Sequence, residues 1–165
     1  RRQHTGDHMR VVEASPTFAD WSTVLLLLQS SFAYMDGRID PPSSLNRLDV
    51  DQLRTKARQE SLIIATEGEA LIGCAFAEVR SDCVYVGKVA VAMAYRGRGV
   101  ARQLLAVAES IAHRNGLQLL ELQTRVELTE NHRTFAALGF KKVAESTHPG
   151  YTRPTSITMR KHVAP

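Results

Sequence analysis

Residues 84–105 read VYVGKVAVAMAYRGRGVARQLL, and within them Arg96-Gly97-Arg98-Gly99-Val100-Ala101 stands between a run of strand character and a run of helix character. A strand feeding a glycine turn that opens a helix suits an anion. The first N–H groups of a helix have no internal partners and lie at the positive end of its dipole. Gly97 and Gly99 would let that backbone approach a phosphate closely, and Arg96 and Arg98 add charge at the rim. The stretch therefore reads as a phosphate or pyrophosphate cradle, set against the simpler alternative of a strand-to-helix turn with solvated arginines. Two familiar nucleotide loops fit poorly. A Walker loop needs Lys and a hydroxyl after its last glycine, where Val100 and Ala101 stand, and a dinucleotide fingerprint needs a glycine at the position of Arg102.

The elements that must position this loop follow from periodicity. Residues 9–15 (MRVVEAS) suit a first strand, and a helix over 18–34 carries Trp21, Val24, Leu25, Leu28 and Phe32 at helical spacing, with Thr17 as N-cap candidate and Gly37 past its end. GRIDPPSSLNR cannot be regular structure. Asp49 with Gln52 makes a capping box for a helix over 50–59. Strands are expected over 61–66, 70–80 and 83–93, then a helix from Val100 stopped by Asn115-Gly116, a strand over 117–124, a short helix over 130–138 capped by Thr129 and stopped by Gly139, and strands over 140–145 and 155–161. The order β-α-α-β-β-β-α-β-α-β-β implies an α/β (α+β) sheet, largely antiparallel in its first half.

Composition narrows the class. At 165 residues the chain suits a single domain, placed at 9–165, with the polar residues 1–8 read as a disordered extension or a remnant of expression. The net charge of +4 is scattered rather than tracted, so no nucleic-acid partner is expected. The longest apolar stretch, residues 24–28, is too short for a membrane span, and no export leader is read. Cys74 and Cys83 form neither a metal-binding spacing nor a disulfide framework, which points to a reduced, cytoplasmic protein without a metal.

The chain resembles the GNAT superfamily of N-acetyltransferases. The coenzyme A signature R/Q-x-x-G-x-G/A reads here Arg96-Gly97-Arg98-Gly99-Val100-Ala101, after the apolar strand VGKVAVAMAY, and the aromatic-x-x-Leu-Gly-Phe marker reads Phe135-Ala-Ala-Leu138-Gly139-Phe140. The resemblance implies a mixed central sheet splayed between strands 4 and 5, with acetyl-CoA as cosubstrate and a primary amine as acceptor. It implies that Val89, Ala90 and Val91 hold the pantetheine and thioester, that Arg96, Gly97, Arg98, Gly99, Val100 and Ala101 hold the pyrophosphate, and that Asn131 and Phe135 meet the cofactor from the next helix. An N–H near Val89 would face the developing oxyanion.

This chain departs from the pattern at the acid and base. The family's usual carboxylate or His positions on the fourth strand are Tyr85 and Gly87, its usual Asn is Leu128, and its usual Tyr general acid is Phe135, which has no hydroxyl to donate. Tyr85, Glu78 on the preceding strand, Glu127 after the fifth strand and ordered water remain as proton acceptors. Glu121 and Gln123 alternate along the fifth strand and either line the cleft or meet solvent, while His132 and Arg133 read as solvated. By the same resemblance, specificity would sit in residues 34–47, with Asp36 and Asp40 to attract a cation and Arg38 and Arg47 to pair them off, and in 148–154, with His148, Tyr151 and Arg153 suited to a carboxylate. A non-catalytic acyl-CoA sensor is the alternative reading, and a homodimer through the C-terminal strands is a further expectation.

Overall fold

The elements form where apolar periodicity and local capping agree. A computed structural model describes residues 8–33 and 35–164, with strands β1 (Met9–Glu13), β2 (Ser61–Glu67), β3 (Ala70–Val79), β4 (Val84–Val91), β5 (Leu119–Arg125), β6 (Lys141–Ser146) and β7 (Ser156–His162). The helices are α1 (Trp21–Ala33), α2 (Val50–Gln59), α3 (Val100–Arg114) and α4 (Thr129–Ala137). Helix α2 starts as expected. Asp49 Oδ1 accepts the Gln52 N–H at 2.8 Å and Gln52 Oε1 accepts the Asp49 N–H at 2.9 Å, which satisfies two amides that the helix itself leaves unpaired.

Three local expectations are corrected. Helix α1 begins at Trp21 rather than Phe18, because Thr17 is drawn into a turn in which its N–H donates to Ser15 Oγ at 3.2 Å and the two hydroxyls bond at 2.8 Å. Asp20 then precedes the helix, and its carboxylate accepts the Thr23 hydroxyl at 2.7 Å. Thr129 is the first residue of α4 and not its cap, a position filled by Leu128 without any side-chain bond. The Pro-Ser loop carries one turn of 3₁₀ helix, Ser44–Arg47, with Ser43 Oγ accepting the Leu45 N–H at 3.1 Å. The expected end of the first helix at Tyr34, and the reading of residues 1–7, lie outside the described residues.

The seven strands form one sheet in the order β1-β2-β3-β4-β5-β7-β6. Neighbours run antiparallel except β4 and β5, which are parallel and paired only at Val84–Leu120 and Tyr85–Glu121. Helix α3 covers one face, burying Val100, Leu104, Leu105, Ala108, Ile111 and Ala112 against Ile63, Ala75, Val84, Val86, Leu120 and Leu122. Helices α1 and α2 cover the other through Trp21, Val24, Leu27, Leu28 and Leu53 against Leu62, Cys74, Phe76 and Ala90. Each fully buried aliphatic side chain contributes about 1.5–3 kcal/mol, so this two-sided burial dominates the stability of the sheet.

Gly73 sets how closely α3 lies on the sheet. A Cβ there would sit 2.7 Å from Val100 Cγ1 and 3.2 Å from the Ala90 carbonyl oxygen. Gly73→Ala should therefore lose about 1–3 kcal/mol in urea unfolding through displacement of the first turn of α3. The cysteines are both free and buried. Burial pushes the Cys74 thiol up to about 12, and burial with Glu121 and Asp82 nearby pushes Cys83 up to about 11. Neither thiol should react with an aromatic disulfide reagent at about pH 8 until denaturant is added, and a rapid native-state reaction would contradict the packing.

Candidate active site

Strand β4 loses both of its neighbours at one place. Past Tyr85 it has no ladder partner on β5, and on the β3 side the register passes from Phe76–Gly87 to Cys74–Ala90, so Lys88 and Val89 together stand opposite Ala75. This is a β-bulge, and Lys88 adopts the left-handed conformation (φ 51°), which is uncommon for a side chain of that size. The gap opens two joined clefts. The larger, of about 590 Å³, lies between Val89, Ala90 and Val91, the glycine turn, and α4. The smaller, of about 280 Å³, passes between β4 and β5 toward the Pro-Ser loop, and Phe32, Val89, Asn131 and Phe135 line both.

The glycine turn has the conformation its sequence suggests. After a 3₁₀ turn at Met93–Tyr95, Gly97 (φ 78°) and Gly99 (φ 80°) are left-handed, and Gly99 is the N-cap of α3 with no side chain to cap it. Space lies open where a Cβ would stand at either glycine. Gln103 is the first amide of the helix to find a carbonyl, Gly99 O at 3.1 Å, and among the described residues the N–H groups of 97–102 make no backbone bond. Arg96, Gly97, Gly99, Val100 and Ala101 line the larger cleft. Arg98 does not, since its guanidinium lies over the Tyr95 ring at 5.0 Å. Arg102, noted in the sequence only as an interruption of a glycine pattern, lines the cleft in its place. Arg96 also donates to the Ser31 carbonyl at 3.4 Å and so ties the turn to α1.

The acid–base candidates separate. Tyr85 forms part of the smaller cleft, with the Arg80 guanidinium 4.1 Å over its ring. Burial pushes its hydroxyl above the usual phenol value, with Arg80 opposing and Glu121 and Glu78 adding to the rise. Glu78 is paired with Arg80 at 2.9 Å and is not in the cleft wall. Glu127 is likewise outside that wall: its Oε2 accepts the Asp40 N–H at 3.2 Å and lies 3.8 Å from Arg153, while its buried Oε1 has no partner. Glu121 meets neither cleft nor solvent. It is buried between Arg160 at 2.8 Å and Arg80 at 3.4 Å. Gln123 bonds Thr158 at 3.3 Å and does line the cleft.

The loop after α1 and the loop after β6 hold each other. Asp40 accepts from the Tyr151 hydroxyl and from Arg153, and Arg38 pairs with Glu130 at 2.8 Å, a bond that pulls the Glu130 carboxyl down to about 2. Asp40, Tyr151 and Arg153 are therefore occupied with one another rather than presented to a ligand. His132 hydrogen-bonds the Arg125 carbonyl at 2.9 Å and steadies the start of α4, while Arg133 is exposed. Two cleft residues carried no signal in the sequence: Thr124, 8 % exposed with its Oγ1 unpartnered, and Arg125, whose guanidinium donates to the carbonyls of Pro41 and Pro42. Only the fold brings β5 to that loop. No helix among the described residues is long and apolar enough to cross a membrane, and no cluster of three metal-ligating side chains occurs among them.

Solved structures share this architecture. The PaiA N-acetyltransferase of Thermoplasma acidophilum, in complex with coenzyme A, aligns with a TM-score of 0.77 over 94 % of this chain and 99 % of its own, at 15 % identity. The acetyltransferase of Streptococcus agalactiae gives 0.72 over 96 % and 99 % at 18 % identity, and the ribosomal-protein-S18-alanine N-acetyltransferase of Escherichia coli gives 0.71 over 95 % of each chain at 16 % identity. At such identities the likeness is one of fold. No curated protein sequence matches the chain. The family model described as Acetyltransferase (GNAT) family matches residues 22–140, which contain the bulged strand, the glycine turn and the Leu-Gly-Phe marker, and the chain belongs to that family.

Proposed function

We propose that the protein is an N-acyltransferase that moves an acetyl group from acetyl-CoA to a primary amine by direct attack within a ternary complex. One observation carries this reading: the parallel β4–β5 pair opens after two residue pairs, directly above a helix start whose amides are left without backbone partners. The residues present fit the cosubstrate. Open space at Gly97 and Gly99 allows a phosphate close to the backbone, Arg96 and Arg102 supply charge, and unpaired β4 backbone offers a pantetheine arm an edge to bond as an added strand would. The buried free thiols support a cytoplasmic location, and β6, exposed along its length at the edge of the sheet, is where a homodimer would form.

Val89, without a ladder partner and lining both clefts, would place its N–H at the thioester carbonyl as charge develops there. Phe135, edge-on to Phe140 at 5.9 Å, closes the wall beside it and excludes water. No carboxylate lines the smaller cleft among the described residues. His148 lines that cleft with Nδ1 held by the Thr155 hydroxyl, and proton removal is left to the equilibrium of the amine itself, with Tyr85 as an orienting hydrogen-bond partner. Holding two reactants in one cleft supplies the main acceleration.

The decisive assay is thiol release from acetyl-CoA with a panel of amines, where tight coenzyme A binding without turnover would favour the sensor. Because the attacking nitrogen must be neutral, kcat/KM should rise about tenfold per pH unit up to the pKa of the chosen amine and level off above it. Burial raises the Tyr85 hydroxyl above the usual phenol value, which moves any limb of its own to higher pH, and Tyr85→Phe should lower kcat/KM about tenfold or less. A limb that stays in place when the acceptor is changed would show an enzymic base instead. Gly99→Glu, placed where φ is 80° and the surroundings are open, should weaken coenzyme A binding on the order of a hundredfold in calorimetry, with a stability loss of about 1–2 kcal/mol.

A further inference from the structure

The acceptor end of the smaller cleft is built from groups of unlike chemistry. Its charged side chains among the described residues are Lys88 and Arg125, and neither Asp nor Glu lines it. Two acids of the adjoining loops are engaged: Asp40 by Tyr151 and Arg153, and Glu127 through Oε2 by the Asp40 amide and Arg153, with its buried Oε1 left without a partner. Arg125 gives two of its five donors to the neutral carbonyls of Pro41 and Pro42 and makes no ion pair among the described residues. Burial pulls its guanidinium below the ordinary value, with Glu127, Tyr151 and Asp40 only partly opposing, which marks a cation short of counter-charge. The Thr124 hydroxyl, buried and without a partner, belongs to the opposite face of β5, since side chains alternate along a strand. Part of the remaining wall is an apolar cluster of Met35, Ile39 and Leu128, with Phe32 packed both against it and against the α1/α2 core.

A cationic polyamine would be poorly matched by such walls, since its second ammonium would meet Arg125 and Lys88 rather than a carboxylate. We infer that the acceptor is a small amino carboxylate with an apolar side chain, its carboxylate on Arg125 and its side chain against Phe32, Met35, Ile39 and Leu128. A guanidinium with free donors in fork geometry is suited to a carboxylate. The inference rests on the acyl-transfer reading and gives that reaction its acceptor. The neutral amine nitrogen bonds to the thioester carbonyl carbon, the C–S bond breaks, and the proton lost from nitrogen ends on the departing thiolate. The products are an N-acetyl amino carboxylate and coenzyme A thiol.

The test uses the full chain with acetyl-CoA and three acceptors: phenylalanine, 2-phenylethylamine, which lacks only the carboxylate, and spermidine. Phenylalanine should exceed 2-phenylethylamine in kcat/KM by about thirtyfold or more, as expected for a charge-assisted hydrogen-bonded pair. 3-Phenylpropionate, which keeps the carboxylate and lacks the amine, should inhibit competitively against phenylalanine. Arg125→Gln should bring the phenylalanine to 2-phenylethylamine ratio close to one through a higher KM for phenylalanine. Because that change also removes the bonds to Pro41 and Pro42, the ratio and the inhibition in the unaltered protein decide the question by themselves. Turnover of 2-phenylethylamine or spermidine equal to or above that of phenylalanine overturns the acceptor class and leaves acyl transfer standing. Failure of every amine while coenzyme A still binds overturns acyl transfer, and the acceptor class with it.

Discussion

A parallel ladder that stops after two residue pairs governs the rest of this molecule. Backbone N–H and C=O groups inside a protein must find partners, and a strand interior to a sheet normally finds them on both sides. Here β5 keeps its full antiparallel register with β7 while the bulge at Lys88 and Val89 disturbs β4 on the β3 side as well. The result is an internal strand edge, shielded from other chains by its position in the middle of the sheet yet open to a ligand that can bond as a strand does. An edge of this kind at the rim of a sheet invites aggregation. In the interior it is shielded.

The glycine turn depends on the same strand. Val91 ends β4 and the chain passes through one 3₁₀ turn into the helix start, so that the open edge and the amides of the turn form consecutive parts of one cleft. Their alignment is fixed from below by α3, which lies close on β3 because Gly73 presents no side chain to Val100. Packing in the larger core thus holds the glycine-turn end of the cleft, and the two parts cannot shift separately without opening that core.

Electrostatics act more by cancellation than by display. Glu121 is enclosed by Arg80 and Arg160, Asp40 and Glu127 by the loop after β6, and Glu130 by Arg38. Breaking a buried pair leaves a charge without solvent, so the Glu121 group in particular is a structural brace for the β5–β7 face and for the Arg80 side chain that lies over Tyr85. What remains along the smaller cleft is a surplus of positive charge, from Lys88 and Arg125.

Where the relevant physics is local, the sequence was legible. The Asp49–Gln52 capping box and the start of α3 at Val100 with its stop at Asn115-Gly116 each depend on a few neighbouring residues, and each stands where it was expected. The local misreadings, at Thr17 and Thr129, arose where a hydroxyl had a competing nearby role or where a cap residue used no side chain. The order of elements and the two family markers likewise carried the fold. The character of the acceptor cleft was beyond that reach. Arg125 meets Pro41 across 84 residues of chain and Arg153 meets Asp40 across 113, and whether a carboxylate is free or spent depends on such partners. The sequence by itself determined the scaffold and the glycine turn, because both rest on short-range rules. Only the tertiary structure decided which charges are left to meet a substrate, because that is settled by pairings between loops distant in sequence.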